Sequence, residues 1–249
     1  MSSRFPGLLL ALFIALGAAG CASQAATAKA PPDPDPLEPV NRAIYSANEV
    51  LDYFVARPVA RGYEKLTPQF FRTGAGNFFR NLGYPVTILN DFLQGKFRQG
   101  GADTLRFAMN TTVGLAGLLD PATEMGLEVH DEDFGQTLAV WGLPEGPYLV
   151  MPVFGPTTLL AGAGDLADTQ ASLLYQWPGS NGSRNALVAW ELTHRRYTLL
   201  PYDEQVEQAF DRYAFVRDAY LQNRRYKIHD GQLPVDDLFP DDFEDDYED

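Results

Sequence analysis

Cysteine is almost absent from this chain. Cys21 is the only one among 249 residues, so no disulfide can close within the molecule and the core must hold itself together. Histidine is scarce as well: His130, His194 and His229 lie far apart, and none belongs to a zinc spacing such as H-E-x-x-H. No G-x-S-x-G turn, P-loop or G-x-G-x-x-G occurs. The nearest approaches, PGSNG at 178–182 and GAGNFF at 74–79, lack the spacing or the third glycine. No metal and no cofactor is expected, although a triad assembled in space leaves no such trace. Basic residues number 19 against 33 acidic, a formal charge of −14. Such a field attracts neither nucleic acid nor bare anionic lipid. Long apolar runs are missing too. Leu8 to Leu16 and Val113 to Leu119 both fall well short of the roughly 20 residues that a membrane-spanning helix needs.

What is present begins with a leader. Arg4 supplies a positive n-region, LLLALFIAL an apolar core, and AAG small residues directly before Cys21. Residues 1–20 therefore read as a lipoprotein signal peptide and Cys21 as the site of lipid attachment; the alternative is an ordinary signal peptide with a coincidental cysteine. Ala22 in place of Asp gives no inner-membrane retention signal, so the outer membrane is the expected address. Residues 21–36, with four prolines, read as an extended tether. Residues 37–230 are long enough for one core. Residues 231–249, with nine acidic and no basic side chains, read as a disordered acidic tail.

The body is mainly helical in pattern. Val40, Ile44, Ala47, Leu51, Phe54 and Val55 recur at helical spacing up to Pro58. Thr67-Pro68 reads as an N-cap with proline at the first helical position. The helix that follows is weakened by Gly74 and Gly76, and Pro85 opens a further segment ending at Gln94-Gly95. Phe97 to Asn110, Thr157 to Asp168, Ser183 to Tyr197 and Asp203 to Gln222 complete the set. Asp133 and Gln136 form a capping arrangement for a short helix through Trp141. Only Tyr148 to Phe154 resembles a strand, and Pro152 interrupts it. Val113 to Leu119 is either buried or dips into one leaflet.

Three stretches resemble a known family. They are DPLEPVNRAIYSANEVLDYF from Asp35, LRFAMNTTVGLAGLLDPATEMGL from Leu105, and EDFGQTLAVWGLPEGPYLVMPVFGP from Glu132. Together they resemble the MlaA (VacJ) lipoproteins, with coverage from about Asp35 to Asp168. Pro39 and Val40, and Leu160 and Ala161, depart from the family's frequent residues. The resemblance implies a single ring-like body of short helices broken by Gly and Pro, with little or no β and an amphipathic channel. It implies no catalysis. It implies instead the removal of mislocalised phospholipids from the outer leaflet, at the periplasmic face of the outer membrane. A trimeric porin would be the neighbour and a soluble periplasmic carrier the recipient. Phe78, Phe79 and Leu82 are candidates for the membrane plane, with Asn77, Arg80 and Asn81 facing headgroups. Val113, Leu115, Leu118, Leu119, Trp141 and Tyr148 are candidates for channel or rim. The alternatives are an envelope lipase or phospholipase, and a passive porin-scaffolding lipoprotein.

Overall fold

Asp35 is fully buried, and that sets where folded structure begins. The computed structural model describes residues 34–176 and 179–232. The leader, Cys21 and nearly all of the acidic tail lie outside the described residues. Residues 34–36, expected to end the tether, are part of the folded body. Pro34 O accepts from Tyr148 N (2.8 Å), and Asp35 Oδ1 accepts from Asn41 Nδ2 (2.8 Å), so the body starts at Pro34.

Helix α1 spans Glu38–Leu51. It does not stop at Pro58 as the pattern predicts. A π-helical stretch, Asp52–Ala56, follows directly, and α2 then runs Arg57–Leu66 with Pro58 in its first turn. The wider turn explains the continuity. Arg57 N bonds Asp52 O, five residues back, and a proline in a new first turn needs no N–H partner. Thr67 does not cap the next helix: its hydroxyl donates to Tyr63 O (2.6 Å), closing α2 instead. Pro68 takes the cap position, and α3 runs unbroken over Gln69–Leu93 with Pro85 inside it. Gly74, Gly76 and Pro85 thus fail to divide the segment, because α4 (Phe97–Thr112) packs along it and supplies what local propensity lacks.

Short helices α5 (Pro121–Glu124) and α6 (Phe134–Val140) follow, then the hairpin β1 (Tyr148–Met151) and β2 (Gly155–Thr158). The strands are antiparallel, Tyr148 opposite Thr158. Among the described residues no third strand joins this two-stranded sheet. Side chains of α1 take that place. Asn41 donates to Tyr148 O (3.0 Å) and accepts from Val150 N (2.9 Å); two turns on, Asn48 donates to Met151 O (3.0 Å) and accepts from Val153 N (2.8 Å). Two carboxamides seven residues apart thus satisfy the backbone edge of β1.

Thr158 caps α7 (Leu159–Asp168) by accepting from Ala161 N. Gly135 on α6 and Gly164 on α7 touch backbone to backbone. A Cβ on Gly164 would lie 2.3 Å from Gly135 N. Helix α8 is Asn181–Leu199, followed by a 3-10 turn at Leu200–Tyr202. The single helix predicted over Asp203 to Gln222 is two, α9 (Asp203–Gln208) and α10 (Arg212–Ile228). Asp211 separates them: its carboxylate accepts from Ala214 N (3.1 Å) and pairs with Arg42 (2.6 Å). A residue engaged as an N-cap cannot sit mid-helix.

Candidate functional site

The burial pattern is inverted for a protein surrounded by water. Among the described residues, fifteen buried side chains are polar or charged against eleven apolar ones, while 36 large apolar side chains are exposed. Single exposed apolar residues are ordinary, but extended patches mark contact with protein or membrane. Tyr53, Phe54 and Val55 on the π-helical stretch, Phe70 on α3 and Phe97 on α4 are all more than half exposed. No described helix is long and apolar enough to cross a membrane.

Beside Phe70 a cleft of about 670 Å³ opens between the first half of α3 and the segment after α4. Phe70, Val113, Leu118 and Leu119 form its apolar sides; Gln69, Thr73, Asn77, Asp120 and Glu124 provide polar groups. The segment after α4 is shaped by positive φ at Leu115, Ala116 and Gly117. Gly117 is required there twice over. Its φ is +87°, and a Cβ would fall 2.4 Å from Asn81 Cβ. With the backbone turned inward onto α3, the side chains of Val113, Leu115 and Leu119 are more than half exposed, and that of Leu118 nearly half. The segment is therefore not buried core.

A buried charge pins this lip. Arg106 is fully buried on α4. Its Nη2 donates to both oxygens of Asp120 (2.7 Å each) and to Thr123 Oγ1 (2.8 Å); its other nitrogens reach Tyr84 Oη and Leu127 O. Asn110 Nδ2 adds a bond to Asp120 Oδ1 (2.9 Å), and Ala122 N donates back to Asn110 Oδ1 (3.2 Å). Burial alone would raise the Asp120 carboxyl. Hydrogen bonds from Thr123 and Asn110 and the Arg106 charge hold it below its ordinary value instead. Asp120 also caps α5, accepting from Thr123 N, so one carboxylate fixes the lip and the helix beyond it.

A second polar cluster lies further along α3. Asp91 and Asp103 are both fully buried; Gln99 donates to Asp91 Oδ1 (2.7 Å), and His130 Nδ1 is 2.9 Å from Asp103 Oδ2. Burial, and then the hydrogen bond and charge of Asp103, push the Asp91 carboxyl up to about 7. Glu132 receives Gln94, Lys96 and Gln99. No group of three or more His, Cys, Asp or Glu among the described residues is arranged to hold a metal ion.

The candidate residues separate into groups. Val113, Leu118 and Leu119 line the cleft; Leu115 is exposed beside it. Trp141 is half exposed, its Nε1 donating to Leu93 O (3.1 Å), and is not part of the lining. Tyr148 is no rim residue: it is fully buried, packed edge-on against Tyr213. Leu82 is buried, and Phe78 and Phe79 both pack on Trp190 of α8. Both rings are half-buried between α3 and α8. Asn77 donates to Leu118 O (3.3 Å), Asn81 to Thr111 Oγ1 (2.9 Å), and Arg80 comes within 3.7 Å of Asp120. Asp133 Oδ1 accepts from Gln136 N and Oδ2 from Gln136 Nε2, 2.8 Å each, capping α6 while pairing with Arg224. The Arg106–Asp120 pair was not singled out from sequence. The available signal for the pair was Asp120-Pro121, an N-cap before a proline.

Fold and surface together define a mainly helical protein with an unusually apolar exterior and a cleft of mixed apolar and polar lining. The chain belongs to the MlaA lipoprotein family, whose model matches residues 33–227. Intermembrane phospholipid transport system lipoproteins MlaA of Shigella flexneri and of Escherichia coli K12 are each 37% identical, over 80% of this chain and 80% of theirs. That of Haemophilus influenzae is 32% identical over 91% of this chain and 92% of its own. A solved chain, described as "Structural basis for maintenance of bacterial outer membrane lipid asymmetry", matches with a TM-score of 0.70 and 33% identity. It covers 78% of this chain and 98% of the solved one.

Proposed function

We infer that this protein is an outer-membrane lipoprotein of phospholipid transport, which maintains lipid asymmetry and breaks no bond in its cargo. The observation that carries this is the inverted burial: apolar side chains face outward, around a cleft lined by both apolar and polar groups. A phospholipid headgroup cannot cross hydrocarbon cheaply without polar partners, whereas its tails gain nothing by leaving lipid. Phe70, Val113, Leu118 and Leu119 suit the tails; Gln69, Thr73 and Asn77 suit the headgroup. Membership of a family whose named relatives are phospholipid-transport lipoproteins supports the same reading.

The finer reading extends it. Anchored through Cys21, the body lies in the inner leaflet beside a trimeric porin and forms the wall of an amphipathic passage. It takes phospholipid misplaced in the outer leaflet and gives it to a soluble periplasmic carrier. Deleting the gene and labelling surface phospholipid with a membrane-impermeant amine reagent tests this. Label should rise on deletion, return to baseline with the wild-type gene, and stay high with Leu118→Glu. Unchanged labelling on deletion would refute it.

A further inference from the structure

We propose that the cleft selects phospholipids whose headgroup carries an ammonium, and that Glu124 receives that ammonium. This rests on reading the cleft as the phospholipid site. Of its lining residues only Asp120 and Glu124 are charged, and both are acidic. They are not equivalent. Asp120 is spent on Arg106, both carboxylate oxygens at 2.7 Å from one guanidinium nitrogen. Glu124 is exposed, and its side chain has no hydrogen-bond or ion-pair partner among the described residues.

Glu124 is nevertheless held in place. It is the last residue of α5, a single turn whose N-cap is Asp120 and whose Ala122 N is tied to Asn110. The pinned pair thus fixes the backbone from which the Glu124 carboxylate extends. Gln69, Thr73 and Asn77 offer neutral donors to a phosphate, and no lysine or arginine belongs to the lining. Arg80 reaches Asp120 at 3.7 Å without being part of it. An ethanolamine headgroup brings a cation to Glu124 and is neutral overall. A glycerol headgroup brings a net negative charge and no cation. One charge placed within about 6 Å of a partly solvated carboxylate should separate the two by roughly five- to tenfold.

The test uses the full-length lipoprotein purified in detergent. It is incubated with vesicles holding equal amounts of ethanolamine and glycerol phospholipids of identical acyl chains, then re-isolated, and the retained lipid is weighed by mass spectrometry. The wild type should be enriched about five- to tenfold in the ethanolamine lipid. Glu124→Gln should bring the ratio close to one by lowering capture of the ethanolamine lipid, and Glu124→Lys should reverse it, with thermal unfolding unchanged, since the side chain has no partner to lose among the described residues. Glu64→Gln, another exposed carboxylate outside the cleft, controls for the overall negative charge and should leave the ratio alone. Equal capture by the wild type would overturn the proposal. So would ratios that ignore Glu124 or move as far with Glu64→Gln. Capture of neither lipid would instead overturn the transport reading beneath it.

Discussion

Replacing Arg106 by Met removes the group that holds the cleft's lip, and the structure sets how much that should cost. Arg106 is fully buried and Asp120 largely so. Losing the arginine leaves the carboxylate with only the half-exposed Arg80, 3.7 Å away, as a counter-charge, and strips Tyr84 Oη, Leu127 O and Thr123 Oγ1 of a donor. Breaking a buried pair from one side typically costs about 3–5 kcal/mol. Arg106→Met should therefore fall in that range, and Asp120→Asn should be nearly as damaging because it strands the guanidinium. The double variant should recover at least about 2 kcal/mol relative to the sum of the two. The assay is chemical unfolding of the detergent-solubilised full chain followed by circular dichroism. The pH dependence supplies a second check. Asp120's folded-state pKa is depressed, so its contribution is present above the unfolded value of about 4 and is lost as pH falls through the folded one. Arg106→Met should shrink that acid-side loss. Additive losses in the cycle, or a single-variant cost under about 1 kcal/mol, would refute the claim that this pair pins the lip.

Asp91 behaves in the opposite sense. Its pKa is raised to about 7, so the stability linked to its proton is full below about 4 and drains away as pH climbs through 7. Asp91→Asn should flatten that loss between pH 5 and 8 in thermal melts, by roughly the order of a few kcal/mol; an unaltered slope would show that the two buried carboxyls do not share their site as described. Gly135→Ala sets a Cβ 2.6 Å from Arg224 Nη2 and 2.8 Å from Ala161 Cα, and should lower stability by about 1–3 kcal/mol; an unchanged unfolding midpoint would mean α6 and α7 are free to separate. Asn41→Leu keeps the branching of the side chain but removes a donor from Asp35 Oδ1 and Tyr148 O and an acceptor from Val150 N. At about 1–3 kcal/mol for each buried orphan, it should cost several kcal/mol, whereas an effect within about 0.5 kcal/mol would deny Asn41 its role at the strand edge.

Helix content was legible because periodicity and caps are local. Asp133 with Gln136, the stop at Gln94-Gly95 and the start at Phe97 are all set within a few residues. Helix interruptions were not. Pro58 and Pro85 look like stops, but a π-turn absorbs the first and the packing of α4 supports the second. Asp211 falls inside the single helix predicted over Asp203 to Gln222; its cap on Ala214 N, and its pairing with Arg42, 169 positions earlier, divide that helix. The cleft shows the same divide. Val113 to Leu119 stood out by composition, and three of its residues line the cleft. Which way they point depends on Gly117 seated on Asn81, which only the fold reveals. Tyr148 was illegible for the complementary reason: an aromatic side chain reads the same whether it faces a rim or the core, and its contact with Tyr213 inside the fold decides. Arg106 was visible as a basic residue on a helix, but its full burial depends on Asp120, Tyr84 and Leu127 meeting around it.

The most direct test of the central claim places benzoylphenylalanine at Leu118, beside the cleft, and at Gln208 on α9 as a control, in full-length protein in outer membranes. After irradiation, adducts are identified by intact mass. The account predicts an added mass equal to a whole phospholipid at position 118 and none at 208. No lipid adduct at 118, equal labelling at both positions, or adducts carrying only a free fatty acid would contradict it.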